Sequence, residues 1–234
     1  MFMLRKYFTK GELFLWFGSI AIIIFSFCIF DRHNYLTLAA SIIGVTSLIF
    51  NAKGNPIGQF LMIVFSLFYG VISYSFAYYG EMITYLGMTM PMAVVALISW
   101  MRNPYNGNKA EVEVNKIGSK ESVFMWIITL IVTAIFYFIL AHFNTANLIP
   151  STISVTTSFV AVYLTFRRSP YFALAYAAND IVLIILWTLA SLYDSRYISV
   201  LVCFCAFLIN DVYGFINWQR MKERQAQNQL CIEQ

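Results

Sequence analysis

The side chains of this sequence that could do chemistry are a few polar groups inside long apolar runs. Asp180 and Asp211 are the only acidic residues well inside such runs, and each directly follows an asparagine, Asn179 and Asn210. A charged side chain in hydrocarbon costs at least about 2.5 kcal/mol, so such a residue faces protein or a water-filled cavity. The two Asn-Asp pairs therefore predict a polar cavity between helices.

Helical spacing adds aromatic and amide side chains to this cavity. Asp180 and Trp187 lie seven residues apart and share a helical face, and Asn210, Tyr213 and Asn217 follow the i, i+3, i+7 pattern on the last run. Amides and aromatic rings on such faces could bind a small polar molecule. The predicted binding residues are Gln59, Tyr176, Asn179, Asp180, Trp187, Asn210, Tyr213 and Asn217.

A second interpretation of these residues is purely structural. Asn and Asp in membrane helices often bond across to a neighbouring helix, at about 0.6 kcal/mol each. This alternative applies to Asn179, Asn210 and Asn217. For Asp211, which lies toward a helix end, the alternative is a salt bridge to Arg220 or an exposed position.

No arrangement of residues typical of an enzyme occurs in the sequence. It lacks a histidine cluster, a glycine-rich phosphate loop and a nucleophile elbow. Cys203 and Cys205 would lie about 200° apart around a helix, so they cannot face one metal ion together. We therefore expect a protein that is not an enzyme and that needs no cofactor or metal.

Composition places these residues in a membrane. Hydrophobic residues make up 60% of the chain and charged residues only 11%, whereas about a quarter of a soluble domain is charged. The apolar runs are each close to the roughly 20 residues that a membrane-spanning helix needs. The sequence predicts an all-α polytopic membrane protein, one transmembrane transporter domain over residues 1–234. The eight predicted helices are 13–30, 35–50, 56–79, 82–101, 123–143, 148–166, 170–193 and 197–218.

Residues 10–102 and 120–220 resemble each other. The matched segments, in order, are Lys10–Trp16 with Lys120–Trp126, Lys53–Pro56 with Arg167–Pro170, Tyr79–Glu81 with Tyr193–Ser195, and Ile98–Arg102 with Ile216–Arg220. Each half holds an even number of helices, so both halves enter the membrane in the same direction. We expect two parallel three-helix bundles, joined by 123–143 as linker helix, with 13–30 as an additional N-terminal helix. Duplicated membrane proteins of this kind are very often transporters with a site near the midplane.

Two features at the chain start and at the helix ends need interpretation. Arg5 and Lys6 before an apolar run also fit a signal peptide. Because the copy of that run at 123–143 is internal, we expect 13–30 to belong to the fold.

The tryptophans at helix ends are expected to be membrane-interface anchors; they are Trp100, Trp126 and Trp218.

The basic residues predict the orientation. With eight helices and both termini on one side, thirteen of the fifteen Lys and Arg residues fall on that side, and only Arg32 and Arg196 on the other. The positive-inside rule makes the basic side cytoplasmic, so both termini are expected there. No basic stripe with interleaved aromatic residues occurs, and we expect no nucleic-acid partner.

Several motifs resemble the PnuC family of bacterial vitamin transporters. They are Tyr79-Gly80-Glu81, Pro91-Met92, Ile98–Pro104, Asn179-Asp180 and Tyr213–Trp218. The resemblance implies two three-helix bundles joined by a linker helix, as in a full-length SWEET transporter, assembled as a homotrimer in the bacterial inner membrane. It also implies facilitated diffusion of nicotinamide riboside, thiamine or riboflavin, with a cytosolic nicotinamide riboside kinase trapping the imported riboside. Ala93 departs from the Pro-Met-Gln sequence that many members have at this point.

The predicted binding residues suit nicotinamide riboside, the commonest substrate implied by the resemblance. Aromatic faces such as Tyr176 and Trp187 bind a cation like its pyridinium ring. Amides can pair with the carboxamide and the ribose hydroxyls, and Asp180 can balance the charge. A phosphorylated nucleotide would need an Arg or Lys, and none lies deep in the helices. A proton-coupled transporter with Asp180 or Asp211 as relay remains the alternative.

Overall fold

The computed structural model describes residues 7–75, 78–145 and 147–232. Among these residues, eight helices are long and apolar enough to cross a membrane, which confirms the all-α polytopic prediction. The helices are α1 (Lys10–Phe30), α2 (Tyr35–Ala52), α3 (Pro56–Ser75), α4 (Tyr79–Arg102), α5 (Ser119–His142), α6 (Leu148–Phe166), α7 (Phe172–Ser191) and α8 (Tyr197–Ile232). A short hairpin, β1 (Pro104–Tyr105) and β2 (Asn108–Val112), follows α4. Arg5 and Lys6, which the charge count and the signal-peptide interpretation use, lie outside the described residues.

The last helix is longer than the sequence predicts. It continues past Trp218 to Ile232, because residues 219–232 are mostly good helix formers such as Gln, Lys, Glu, Arg and Ala. Gln225 in this extension is buried and bonds the hairpin: its Nε2 donates to the Val112 carbonyl at 3.1 Å, and its Oε1 accepts from Val114 N at 2.8 Å. The extension therefore holds the connector between α4 and α5 against the helix ends.

Two basic turns reverse the chain at the same end of the protein. Gly54 (φ +66°) follows α2 and Arg168 (φ +56°) follows α6. Each turn is followed by a proline, at Pro56 and Pro170, and proline is well tolerated in the first turn of the next helix. We call this end of the molecule the basic end, and the other the opposite end.

Helices that are consecutive in the chain pack on each other in two groups, and two further contacts join the groups. α2 packs on α3 and α3 on α4, while α6 packs on α7 and α7 on α8. The two groups touch through α2 against α8 and through α4 against α6. α1 lies against α2 and α8, and α5 lies against α6. Only 22% of the most apolar part of α1 and 17% of that of α5 is buried, so these two helices are peripheral.

The tryptophans at the basic end are not all interface anchors. Trp100 and Trp218 are fully buried, and their rings lie 5.4 Å apart. Trp100 Nε1 donates to the Thr165 carbonyl and Trp218 Nε1 to the Asn51 carbonyl, both at 2.8 Å. The expectation of an anchor is therefore wrong for these two, because the indole N–H groups bond the ends of helices in the other group. Trp126 is half exposed.

The residues before the two buried tryptophans make a second equivalent pair of contacts. Ser99 Oγ donates to the Phe166 carbonyl at 3.0 Å, and Asn217 Nδ2 donates to the Ala52 carbonyl at 2.7 Å. Helix C-termini leave carbonyls without partners inside the helix, and these side chains satisfy them. Asn217 thus has a structural partner at the basic end.

Two ion pairs at the basic end connect α1 and α5 to neighbouring helices. Glu12 on α1 accepts from Lys53 Nζ at 2.9 Å, and Glu121 on α5 accepts from Arg167 Nη2 at 3.0 Å. Both acids lie in the first turn of their helices, where negative charge is favourable. Each peripheral helix is therefore tied to the basic turn of a neighbouring helix.

Candidate binding cavity

A cavity lies between the helices, in the middle of the molecule. Six helices contribute to its wall: α2, α3, α4, α6, α7 and α8. Its lining residues are Leu48, Met62, Phe65, Tyr85, Thr89, Ser158, Tyr176, Asn179, Asp180, Phe204, Phe207 and Asp211. Its free volume is about 20 Å³, about the space that one water needs. A larger ligand would fit only after the lining side chains move.

Asp180 and Asp211 meet at this cavity. Asp180 comes from α7 and Asp211 from α8, and both side chains line the cavity. Both residues are almost completely buried, and Asp180 Oδ2 has no partner. The pair is the most polar part of a wall that is otherwise largely aromatic.

Asn179 is held by hydroxyl groups of α6. Its Oδ1 accepts from Thr157 Oγ1 at 2.8 Å, from Ser158 Oγ at 3.0 Å and from Ser154 Oγ at 3.3 Å. With Oδ1 occupied by three donors, the amide orientation is fixed and its Nδ2 group is left as a donor. Asn179 can therefore present N–H groups beside the carboxyl pair.

Aromatic rings form the rest of the wall. Phe65 packs against Tyr85 and Phe207, with ring centroids 5.9 and 5.5 Å apart. Tyr176 and Phe204 complete the aromatic part of the lining. Aromatic faces attract cations through the ring quadrupole, and more strongly when water is excluded. The cavity thus combines aromatic faces with carboxyl groups.

A π-helical turn in α4 brings two of the lining residues to the cavity. The turn covers Tyr85–Thr89, and Met90 N–H bonds the Tyr85 carbonyl instead of the usual fourth residue back. Pro91 follows directly and lacks an N–H donor, which favours an irregular turn before it. Tyr85 and Thr89 are polar residues of the first half that were not among the predicted binding residues. The proline inside an apolar run was the sequence signal for this irregularity.

The predicted residues of α8 lie away from the cavity. Asn210 Nδ2 donates to Ser19 Oγ of α1 at 2.9 Å and to the Ala206 carbonyl at 2.8 Å. Tyr213 Oη donates to Glu12 Oε1 at 2.9 Å. The i, i+3, i+7 face of Asn210, Tyr213 and Asn217 thus faces α1 and the end of α2. The face that lines the cavity is Phe204, Phe207 and Asp211, which has the same spacing.

Gln59 and Trp187 also lie outside the cavity lining. Gln59 Nε2 donates to Asn51 Oδ1 at 2.8 Å, in a buried amide network near the basic end. Trp187 is fully buried, and its Nε1 donates to Tyr69 Oη at 2.8 Å. Of the eight predicted binding residues, three line the cavity: Tyr176, Asn179 and Asp180. Asp211, for which the sequence also allowed a salt bridge to Arg220, lines the cavity as well.

Aromatic layers lie on both sides of the cavity. Toward the opposite end, the Trp187 ring packs on Tyr78 at 4.9 Å and on Tyr197 at 5.6 Å, and Tyr69 packs on Tyr85 at 4.4 Å. We call Tyr69, Tyr78, Trp187 and Tyr197 the outer aromatic layer. Toward the basic end, Phe172 joins the two buried tryptophans, with its ring 4.8 Å from Trp218. Packed aromatic rings therefore lie on both sides of the cavity in this conformation.

Sequence reasoning also missed a buried acid next to the outer aromatic layer. Glu81 is 1% exposed, and neither carboxyl oxygen has a hydrogen-bond partner. It lies in the first turn of α4, one helical turn before Tyr85. Glu81 lies at the edge of an apolar run, and for this reason it resembled a loop residue in the sequence.

A comparison with protein families decides which kind of protein this is. The family model described as "Nicotinamide mononucleotide transporter" matches residues 34–220 of the chain. The chain belongs to the nicotinamide mononucleotide transporter family. The match includes every residue that lines the cavity, and it confirms the resemblance that the sequence motifs indicated.

Two curated members of this family are similar over most of their length. The nicotinamide riboside transporter PnuC of Neisseria mucosa is 27% identical over 204 residues, which are 85% of this chain and 77% of the relative. The nicotinamide riboside transporter PnuC of Haemophilus influenzae is 22% identical over 194 residues, which cover 82% of each chain. Both relatives are named for the riboside, although the family is described by the mononucleotide.

A solved structure shares the fold of this nicotinamide mononucleotide transporter family member. The crystal structure of the vitamin B3 transporter PnuC matches with a TM-score of 0.82 at 23% sequence identity. The match covers 93% of this chain and 94% of the other. This chain therefore shares the helical fold of that protein.

Proposed function

We propose that this chain imports nicotinamide riboside across the bacterial inner membrane by facilitated diffusion, and that cytosolic phosphorylation by a nicotinamide riboside kinase traps the product. The observation that carries the proposal is the lining of the central cavity. Carboxyl groups, an oriented amide and aromatic rings meet there, and none of its lining residues is Lys or Arg. Curated relatives with the same activity in their names support this assignment.

The groups of the cavity match those of the riboside one by one. Asp180 and Asp211 can balance the positive pyridinium ring, and Tyr85 and Tyr176 can contact it with their aromatic faces. Asn179 can donate to the carboxamide oxygen or to a ribose hydroxyl, because its own oxygen is already satisfied. The ligand would take up the unpartnered oxygen of Asp180.

The same lining disfavours the mononucleotide as substrate. A phosphate carries nearly two negative charges and is normally bound by Arg, Lys or helix N-termini. Here it would lie beside two carboxyl groups, with no cationic side chain in the lining. Like charges in a low-dielectric site repel strongly. We therefore favour the riboside over its 5′-phosphate.

We also infer how the fold moves the substrate. The proposed architecture is two parallel three-helix bundles, α2–α4 and α6–α8, with α5 as linker and α1 as the additional N-terminal helix. The equivalent bonds of Trp100 and Trp218, and of Ser99 and Asn217, support this duplication over residues 10–102 and 120–220. Rocking of one bundle against the other would open the outer aromatic layer and the basic end in turn. A homotrimer, as the family resemblance implies, is the proposed assembly.

Ligand-dependent thermal stability of the purified protein tests the substrate assignment. A ligand that binds only the folded state raises the melting temperature, and at a given concentration a tighter ligand raises it more. We expect nicotinamide riboside to raise it, and the 5′-phosphate to do so far less. Equal stabilisation by both would remove the charge argument. Stronger stabilisation by thiamine or riboflavin would instead make the chain a transporter of that vitamin.

A further inference from the structure

We propose that Glu81 is an outer cation site, at which a small organic cation binds in passing between the opposite end of the protein and the central cavity. The inference rests on the proposed function, because it takes the substrate to be a cation. It deepens that function by giving a role to an acid outside the cavity lining. The site fits facilitated diffusion, since it lowers a barrier on the path and leaves the overall free energy of transport unchanged.

Glu81 is a buried carboxyl group without a partner. Its side chain is 1% exposed, and no described residue donates a hydrogen bond to either carboxyl oxygen. Glu12, which is buried to a similar degree, has Lys53 as its partner. Buried polar groups are nearly always hydrogen-bonded, so a buried carboxyl group without a partner calls for a functional explanation. A ligand that contacts Glu81 during transport supplies one.

The fold itself does not require an acid at this position. Glu81 lies in the first turn of α4, but neither of its oxygens accepts a hydrogen bond from a backbone N–H there, so it does not cap the helix. The corresponding segment of the second half, Tyr193–Ser195, has Ser195 at the equivalent position, and that side chain is exposed. The second half thus makes the same chain reversal without a buried carboxyl group.

Glu81 lies between the outer aromatic layer and the cavity. Tyr78, Glu81 and Tyr85 follow the i, i+3, i+7 spacing, so they share one face at the start of α4. Tyr78 belongs to the outer aromatic layer, with its ring 4.9 Å from that of Trp187. Tyr85 lines the cavity. A substrate that moves along this face between the opposite end and the cavity therefore passes the carboxyl group.

The groups on this path suit an organic cation. A cation that leaves water for the interior of the protein loses its hydration at a large cost in free energy. Aromatic faces such as those of Tyr78 and Tyr85 offset part of that cost, and a carboxylate between them offsets more. Alternating access requires the outer aromatic layer to open, which brings water to Glu81, and a hydrated glutamate is ionised at neutral pH. Glu81 and Asp180 then offer a cation two carboxyl sites in series.

Uptake by proteoliposomes, compared with equilibrium binding, tests this role. Initial rates of riboside uptake are measured far below saturation and without a membrane potential, and affinity is measured separately by titration calorimetry. Loss of electrostatic attraction in Glu81→Gln should lower the initial rate about tenfold. The affinity should stay unchanged, because Glu81 is not part of the cavity lining. Every transported molecule passes the opposite end once, so mixed orientation of the protein does not affect the comparison.

Two further variants separate charge from shape and from a general field. Glu81→Asp keeps the charge on a shorter side chain and should retain most of the rate. Asp31→Asn is the matched control, because Asp31 is another buried acid at the opposite end with an unpartnered oxygen, but it follows the peripheral helix α1. It should leave the rate unchanged. A loss in either variant equal to that in Glu81→Gln would overturn the outer site.

The outcomes separate this inference from the proposed function. If the parent protein takes up the riboside and Glu81→Gln is equally fast, the outer site is wrong and the riboside assignment stands. If affinity falls as much as the rate, Glu81 belongs to the main binding site and the outer site is again wrong. If the parent transports thiamine instead, which is also a cation, the assignment is wrong, and Glu81→Gln should slow thiamine uptake. Transport of neutral riboflavin alone would make both wrong.

Discussion

At the scale of single residues, neighbouring positions on α8 have different tasks. Asn210 faces α1, while Asp211, one residue later and about 100° around the helix, faces the cavity. Asp180 and Asn179 on α7 both reach the lining. Carboxyl groups are expensive in a membrane protein, so each needs a compensating contact. Asp180 and Asp211 line the same cavity, and in our account the compensating contact is the substrate.

Replacement of Asp180 tests its role in binding. Asp180→Asn keeps the shape and removes the charge, so affinity for nicotinamide riboside should fall ten- to a hundredfold, about 1.4–2.8 kcal/mol. The melting temperature should change little. Titration calorimetry measures the affinity. The control is Asp194→Asn, which changes a partly buried acid that pairs with Arg196 at the opposite end, away from the cavity. Unchanged affinity with a lowered melting temperature would make Asp180 a purely structural residue.

Glu12 should matter for stability instead. It accepts bonds from Lys53 and Tyr213, and it is 2% exposed. Glu12→Gln leaves Lys53 without its partner, and a hydrogen bond to a charged group is worth about 1.5–3 kcal/mol. We expect a clearly lowered melting temperature with unchanged affinity. The exposed Glu223→Gln should leave both unchanged, and an equal effect in that control would contradict the assignment.

At the scale of helices, contacts between helix ends hold the basic end together. The indoles of Trp100 and Trp218 bond carbonyls at the ends of α6 and α2, and they pack on each other. Helix ends expose carbonyls that no residue of the same helix can satisfy. Side chains from a neighbouring helix therefore fix the relative height of the helices.

The indoles of Trp100 and Trp218 should contribute similar amounts to the stability of the folded protein. Trp100→Phe and Trp218→Phe each remove one buried hydrogen bond and leave a carbonyl unsatisfied, at about 1–3 kcal/mol. The double variant should be non-additive, because the rings are in contact. Thermal denaturation in detergent measures these changes. Trp126→Phe, at a half-exposed site, should stay within about 0.5 kcal/mol of the parent. A negligible loss in one variant alone would contradict their equivalence.

The sequence predicted the helices well and the helix faces less well. Length and hydropathy indicated all eight spans, because a membrane leaves few alternatives to a helix of about 20 residues. Which face of α8 lines the cavity could not be predicted, since both faces show the same i, i+3, i+7 spacing. Polarity favoured Asn210, Tyr213 and Asn217, whereas the lining face is mostly aromatic. The π-turn before Pro91 shifts the register of α4, which spacing arguments assume to be regular.

At the scale of the whole molecule, peripheral and central helices differ in role. α1 and α5 are mostly exposed along their apolar lengths, and ion pairs at the basic end tie them to their neighbours. The other six helices enclose the cavity between two aromatic layers. A transporter needs such a central site and two closures that open alternately.

The orientation of the molecule is testable with a reporter. The excess of Lys and Arg at the basic end predicts both termini in the cytoplasm. A C-terminal fusion to an enzyme that is active only outside the cytoplasm should be silent, and a fusion in the loop between α7 and α8 should be active. An active C-terminal fusion would show that the termini lie outside the cytoplasm, against the proposed orientation.

Uptake by reconstituted protein tests the central claim most directly. Proteoliposomes with this chain alone should take up labelled nicotinamide riboside down its gradient, without ATP, and unlabelled riboside should compete while its 5′-phosphate should not. Liposomes without protein and liposomes with the Asp180→Asn/Asp211→Asn variant are the controls, and the variant should transport far less at low substrate concentration. Absence of uptake by the parent protein, or equal competition by the phosphate, would contradict a riboside transporter with this cavity as its site.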